Sequence, residues 1–320
     1  SNYLFSRNHS VPYSMIGLFI GWLRYYHKIE LLTSALNVYV DNNEKMSNIK
    51  EYIKSQGIEI KGIKFGKSKA QYFMDKDENA IYQGISSIKY CNDQIADELY
   101  ELSKNHYDNF VDLLSDIISK TSVDDRQLHI LTTLNFFSEF GKNKYLLSII
   151  DMYNLLGKCK TLKKDKIASL NIREEDVRKC AEKETPKQYS NVDKDKLVKL
   201  MISGLENKPL SIKEQIVYEQ EYLGNIMYKN PKAPKDMYYV LECKFYKDKT
   251  KPYLMLYNMR DGEYLKTKIT SGKSFIESPF IAGNVINVKE FGERNKMKKV
   301  GGDWIKTDEK ERIVKKWDVY

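Results

Sequence analysis

The sequence predicts a multidomain chain, α then β. A mostly helical first part precedes a small β-barrel of the oligonucleotide-binding (OB) type. Three observations carry this expectation. Apolar residues recur at helical spacing through much of the chain as far as Leu223. After Pro231 and Pro234 the pattern changes to short runs rich in Tyr, Val and Ile between turn residues. The chain has 320 residues, 30% of them charged, which gives room for two or three cores within a soluble protein.

The elements follow in order. Ile16, Phe19, Ile20 and Leu23, then Leu31, Leu32, Ala35 and Leu36, form an apolar stripe that predicts one or two helices over residues 11–40. Asp41 or Asn43 is placed to cap the next helix, where Met46, Ile49, Tyr52 and Ile53 recur; Gly57 suits the left-handed position beyond its end. Residues 58–63 alternate as a short strand does, and Ile95, Ala96, Leu99 and Leu102 share one face of a later helix. From Gly157 to about Asn207, Lys alternates with Glu and Asp and aromatics are few. A solvated helical connector is expected there, with helices near Glu174–Cys180 and Lys194–Leu205. Residues 212–223 form an amphipathic helix stopped by Gly224. Strands are expected at Tyr238–Tyr246, Tyr253–Asn258, Tyr264–Thr270 and Asn284–Phe291, and a fifth at Trp304–Thr307 or Ile313–Val319. Five strands in so short a stretch suit a small barrel.

The net charge of +9 is unevenly placed. Residues 1–157 hold 17 Lys and Arg against 19 Asp and Glu, residues 158–199 hold 13 against 8, and residues 232–320 hold 20 against 13. The basic excess of the last two fifths favours a polyanionic partner there. Within the expected barrel, aromatics and cations interleave: Lys249, Lys251, Tyr253, Tyr257, Arg260, Tyr264, Lys266 and Lys268. Single-strand binders stack bases on flat rings and track the backbone with cations. Alternation along Tyr253–Tyr257 sets both tyrosines and Met255 on one face.

Other chemistry is sparse. Cys91, Cys159, Cys180 and Cys243 form no CxxC pair, which suits a reduced, cytoplasmic setting. His9, His27, His106 and His129 lack metal-ligand spacing, and the pairs Asp75/Asp77 and Asp124/Asp125 read as surface charge. No phosphate-binding glycine loop occurs, and the apolar run Met15–Leu23 is too short to cross a membrane. The first residue is Ser1 rather than Met, as expected of a cut into a longer polypeptide. Residues 5–14, Phe-Ser-Arg-Asn-His-Ser-Val-Pro-Tyr-Ser, put a cation, an imidazole and a phenol just before a helix, a place suited to a phosphate.

That stretch also resembles a pattern from the late fingers region of bacterial C-family replicative polymerases, the DNA polymerase III alpha subunits. The family reads Phe-Asn-Lys/Arg-Ser-His-Ala/Ser-x-x-Tyr-Ala/Ser; Phe5, Arg7, His9, Ser10, Tyr13 and Ser14 match, while Ser6 and Asn8 depart. Ile81, Gly84, Ile88 and Lys89 match the family's Ile-Arg-x-Gly-Leu-x-x-Ile-Lys-x-Val-Gly, the first helix and hairpin of a helix-hairpin-helix element, with Ile85 conservative. Tyr90-Cys91-Asn92 stands where a Gly-x-Gly hairpin is usual, and Asn92 is the residue expected to turn left-handed and start the second helix. Asn135-Phe136-Phe137 stands where the family has a Gly-Ala-Phe-type stop, and Glu219, Glu221, Leu223 and Gly224 match the segment before its OB domain.

The resemblance implies a DNA-binding C-terminal portion of a replicative polymerase. Residues 1–63 would end the fingers, 64–157 form the duplex-binding helix-hairpin-helix region, 158–231 a helical connector, and 232–320 the barrel. Arg7, His9 and Tyr13 would line the nucleotide pocket. Lys89, Asn92 and Gln94 would meet duplex DNA, and Lys249, Tyr253, Tyr257, Arg260, Lys266 and Lys268 single-stranded template. The full-length enzyme would be a nucleotidyltransferase using Mg²⁺ on aspartates. The family's aspartate cluster is not in these residues, so this chain alone is expected to be inactive and to need no cofactor. The sliding clamp and other replisome subunits are the implied protein partners, although no clear Gln-x-x-Leu/Met-Phe clamp peptide occurs, and the long Lys/Glu insert would suit a phage-type member. The alternative is a stand-alone accessory protein that binds single-stranded nucleic acid.

Overall fold

Side-chain caps start seven of the described helices, and left-handed residues follow several of them. A computed structural model describes residues 7–40, 42–157, 160–170, 172–300 and 303–320. It divides into two units, Ser1–Leu210 and Ser211–Tyr320.

The first unit begins with helices α1 (Arg7–Tyr26), α2 (Lys28–Val38) and α3 (Asn43–Ser55). Asn42, rather than Asn43, caps α3 by accepting from the Lys45 N–H at 3.0 Å, while Asp41 and Ser1 to Ser6 lie outside the described residues. Gly57 takes φ 71° just past α3, and the chain turns into β1 (Glu59–Lys61). β1 pairs in parallel with β3 (Ala80–Tyr82), which pairs antiparallel with β2 (Phe73–Asp75). Leu32, Leu36, Met46, Ile53, Ile58, Tyr72 and Ile81 form the core between these helices and strands. The α1 half of the apolar stripe stays outside it: Ile16, Phe19 and Ile20 are exposed.

Residues 81–88, expected as a helix, are instead the end of β3 and a single 3-10 turn at Ile85–Ser87. The reason is packing. Ile81 is fully buried in register with Ile60, and the chain at Gly84 lies directly on the backbone of Ala70 and Gln71. The Ile85 and Ser86 N–H groups bond to the carbonyls of Lys69 and Ala70, an arrangement that an α-helix would break. Helices α4 (Asp93–Leu102), α5 (Phe110–Lys120), α6 (Asp125–Thr133) and α7 (Asn143–Leu156) follow. Asn92, Asn109 and Asp124 cap the first three, and Asn135 holds φ 64° in the stop after α6.

The expected helical connector is a folded α+β segment. Strands β4 (Leu162–Lys163), β5 (Ala181–Glu184) and β6 (Gln188–Val192) form a sheet of order β4-β6-β5, joined by α8 (Lys164–Ser169) and α9 (Glu174–Cys180) and followed by α10 (Lys194–Ile202). Its core is small: Leu162, Ile167, Ile172, Val177, Tyr189, Val192, Leu197 and Val198 are buried. Apolar residues spaced too irregularly for one helix face are what conceal such a core from periodicity.

The second unit opens with α11 (Ile212–Leu223), started by a Ser211/Glu214 capping box and ended by Gly224 at φ 70°. Strands β7 (Met237–Lys244), β8 (Tyr253–Asn258), β9 (Tyr264–Lys268), β10 (Val285–Val300) and β11 (Asp303–Val319) form one antiparallel sheet of order β11-β10-β7-β8-β9, with α12 (Gly272–Glu277) between β9 and β10. The two candidate segments for the fifth strand are one strand of 17 residues. The sheet is open rather than a closed barrel. β10 pairs with β7 only over Val285–Asn287 and continues with β11 as a two-stranded ribbon. Ile269, just past β9, forms one parallel bridge with Val314 of β11, beside the Lys268–Glu311 ion pair. One core lies on the face of Val240, Leu254, Leu256, Ile286, Phe275, Phe280 and Trp317. A second lies beneath α11, where Ile216 meets Tyr239, Tyr257 and Met259.

Candidate nucleic-acid interface

In the first unit the hairpin between the 3-10 turn and α4 is the local feature best shaped for phosphates. The Cys91 N–H donates to the Ile88 carbonyl at 3.0 Å, closing a turn in which Tyr90 holds φ 73°. The left-handed residue is therefore Tyr90, not Asn92, which is extended (φ −141°) and caps α4. A bulky residue rarely accepts this conformation. It is held by the Gln127 side-chain amide donating to the Tyr90 carbonyl at 3.0 Å, and by the Arg126 guanidinium 3.2 Å from the centre of the phenol ring. Lys89 flanks the same ring at 5.1 Å. A hydrogen bond to Lys89 and the charge of Arg126 lower the Tyr90 pKa.

The Tyr90 and Asn92 N–H groups make no hydrogen bond among the described residues. Nearby carboxylates are already engaged: Asp93 accepts from the Ser86 hydroxyl, and Asp124 caps α6 by accepting from the Gln127 N–H at 2.7 Å. Gln94 is turned along α4 to Glu98. Burial pushes the Cys91 thiol up to about 12, aided by Asp124, so it is not a nucleophile at neutral pH. The arrangement offers free N–H groups beside two cations, which can hold an anion but not transform it. Arg126 belongs to this site although sequence spacing did not single it out; only folding brings α6 under the hairpin.

In the second unit the expected binding face is divided. Tyr257 does not belong to it: the ring is fully buried under α11 and its hydroxyl donates to the Tyr228 carbonyl at 2.6 Å. Alternation placed Tyr253 and Tyr257 on one face correctly, but the second core covers only the Tyr257 end. Tyr253 is half exposed and meets Tyr246 edge to face at 5.1 Å. These two line an open cleft of about 610 Å³ with Lys247, Asp248 and Lys251. Lys268 is drawn inward, 2.6 Å from Glu311 and 5.2 Å from the Tyr253 ring, so its charge is largely neutralised. Lys249, Arg260 and Lys266 are exposed and have no ion pair among the described residues. At the other end of the chain, His9 and Tyr13 lie exposed in the first two turns of α1, and Arg7 begins that helix.

A helix-hairpin-helix motif family matches residues 57–147, the segment that holds this hairpin. DNA polymerase III alpha subunits match over part of their length. That of Ureaplasma parvum is 24% identical over 148 residues, 46% of this chain and 15% of the relative. That of Bacillus subtilis is 27% identical over 154 residues (48% and 14%), and that of Staphylococcus aureus 27% over 236 residues (72% and 19%). The chain is a relative of the DNA polymerase III alpha subunits. The alignments span less than a fifth of each relative's length. Among the described residues no three His, Cys, Asp or Glu side chains gather to hold a metal. No described helix is long and apolar enough to cross a membrane.

Proposed function

We propose that this chain is a DNA-binding portion of a replicative DNA polymerase, holding duplex with its hairpin and single-stranded template with its final sheet. The observation that carries the reading is the helix-hairpin-helix match, whose hairpin sets free N–H groups beside Lys89 and Arg126 in a chain related to polymerase III alpha subunits. In such an element backbone N–H groups take a phosphate oxygen and nearby cations add sequence-independent attraction.

The second unit fits an OB-type arrangement. Its strand order is third, second, first, fourth, fifth; its third and fifth strands touch in parallel; and a helix separates the third from the fourth. Tyr246 and Tyr253 would stack bases while Lys249, Arg260 and Lys266 follow the backbone. Residues 1–63 would close the fingers side of a nucleotide pocket, with Arg7, His9 and Tyr13 toward the substrate. Catalysis itself, with Mg²⁺, and contacts to a clamp and other replisome subunits would belong to the whole cytoplasmic polymerase. In that polymerase, Tyr13→Ala should raise the nucleotide KM; an unchanged KM and kcat would remove Tyr13 from the pocket.

The decisive experiment is a salt series of binding by the full chain to fluorescent single-stranded and duplex DNA. Lys89→Ala/Arg126→Ala should weaken duplex binding and flatten its salt dependence, while Lys249→Ala/Arg260→Ala/Lys266→Ala should do so for single strands. Absence of binding by the parent chain at low salt would reduce it to a structural segment.

A further inference from the structure

The segment between the hairpin region and α11 has a topology of its own. It runs strand β4, helix α8, helix α9, then the hairpin β5–β6, and the sheet order is β4-β6-β5. β4–β6 and β5–β6 are both antiparallel, and α10 packs on α9 as the third helix. A helix-turn-helix followed by a β-hairpin, with the first strand added beside the last, is the arrangement of a winged helix-turn-helix. Here the turn between β5 and β6 is the wing. It is built tightly: the Thr185 hydroxyl donates to the Gln188 carbonyl at 2.9 Å and accepts from the Gln188 N–H at 3.1 Å.

Charge is sorted around this frame. Lys164, Arg178, Glu174 and Glu184 close on one another and on the buried Tyr189, and Asp176 is held by Arg173 and Lys179. The wing and the outer sheet face carry the unpaired cations. Lys163 stands opposite Gln188, Lys183 opposite Ser190, and Lys187 sits in the turn itself. All three are exposed and have no ion pair among the described residues. Lys163 and Lys183 are two strand spacings apart and offset by two residues along β6, about 12 Å in all. Long flexible side chains at that spacing reach phosphates on both sides of a DNA groove about 6 to 12 Å wide.

We propose that residues 160–192 form a second duplex-DNA contact, a winged module that grips the phosphate backbone through Lys163, Lys183 and Lys187. It takes its partner from the DNA-binding reading above but not its topology. Base reading is not part of it. α9, the helix that would enter the major groove, exposes Glu175 near its start, and the acids Asp165 and Glu182, the latter accepting from the Asn191 amide, also face solvent. The module therefore holds duplex without regard to sequence, as a processive enzyme requires.

The test compares three full-length chains on a labelled duplex of about 30 base pairs from 50 to 300 mM NaCl: the parent, Lys163→Ala/Lys183→Ala/Lys187→Ala, and Lys89→Ala/Arg126→Ala. Losing three phosphate contacts should cut affinity about ten- to hundred-fold near 100 mM salt and reduce the log–log salt slope by about 2.7. The matching triple Lys→Arg variant should restore both. If the triple alanine variant binds like the parent while the hairpin variant loses affinity, the winged contact is wrong and the DNA-binding reading survives. If the parent does not bind duplex at any salt, both fall.

Discussion

At the residue scale, the clearest case of a buried group in tension is Glu219. Burial raises its pKa, against the pull of three donors: the Gln215 amide at 2.8 Å and the Met227 and Tyr228 N–H groups at 2.6 and 2.7 Å. A carboxyl whose folded pKa lies above its unfolded value contributes most when protonated. Its contribution is lost as pH rises from the unfolded value of 4.5 through the folded one. Glu219→Gln should therefore flatten the pH dependence of the urea midpoint in that window while keeping the carbonyl that accepts from the loop. Glu219→Ala should cost about 2–3 kcal/mol, because it strands two partly buried N–H groups. Equal losses for the two variants would show that the loop does not depend on this acceptor. The family-like Glu219 was legible from sequence as a boundary mark. Its role as the anchor of the loop after α11 was not, because its partners lie eight and nine residues away across a turn.

At the scale of elements, the segment around Gly84 shows how one close approach overrides a pattern. A Cβ there would stand 2.5 Å from the Ala70 carbonyl oxygen, and that neighbour is backbone that cannot swing aside. Gly84→Ala should lower stability by about 1–3 kcal/mol or more, read as a fall in the urea midpoint, although its φ of −78° suits any residue. A midpoint matching the parent would mean that the 3-10 turn moves freely off the 69–71 segment. Sequence reading found the glycine and the second helix of this unit, yet took Ile81–Ile88 for a helix. Ile81, Ile85 and Ile88 have helical spacing and are all buried, but they lie in three different local structures: a strand, a 3-10 turn and the extended residue that ends it. The strands of the second unit were legible because β-branched and aromatic residues alternate between turn signals. The lengths of β10 and β11 were not, since Lys and Glu fill the ribbon and its cross-strand ion pairs, such as Lys296–Glu309 and Arg294–Glu311, appear only after pairing.

At the scale of the whole molecule, the sequence by itself determined the order of a helical part before a β-rich one, the relation to a polymerase subunit, the basic bias of the last two fifths and the interleaving of rings with cations. These are properties of local composition and spacing, which survive without knowing what touches what. Tertiary structure decided which of those residues remain available. It buried Tyr257 beneath α11, tied Lys268 to Glu311, and placed Arg126 on Tyr90. It also turned a Lys/Glu-rich stretch read as a connector into a sheet with two helices, sorting its paired charges from its free ones. Each of these outcomes depends on contacts between residues distant in the chain. Burial and ion pairing are set by those contacts, so spacing along the sequence cannot specify them.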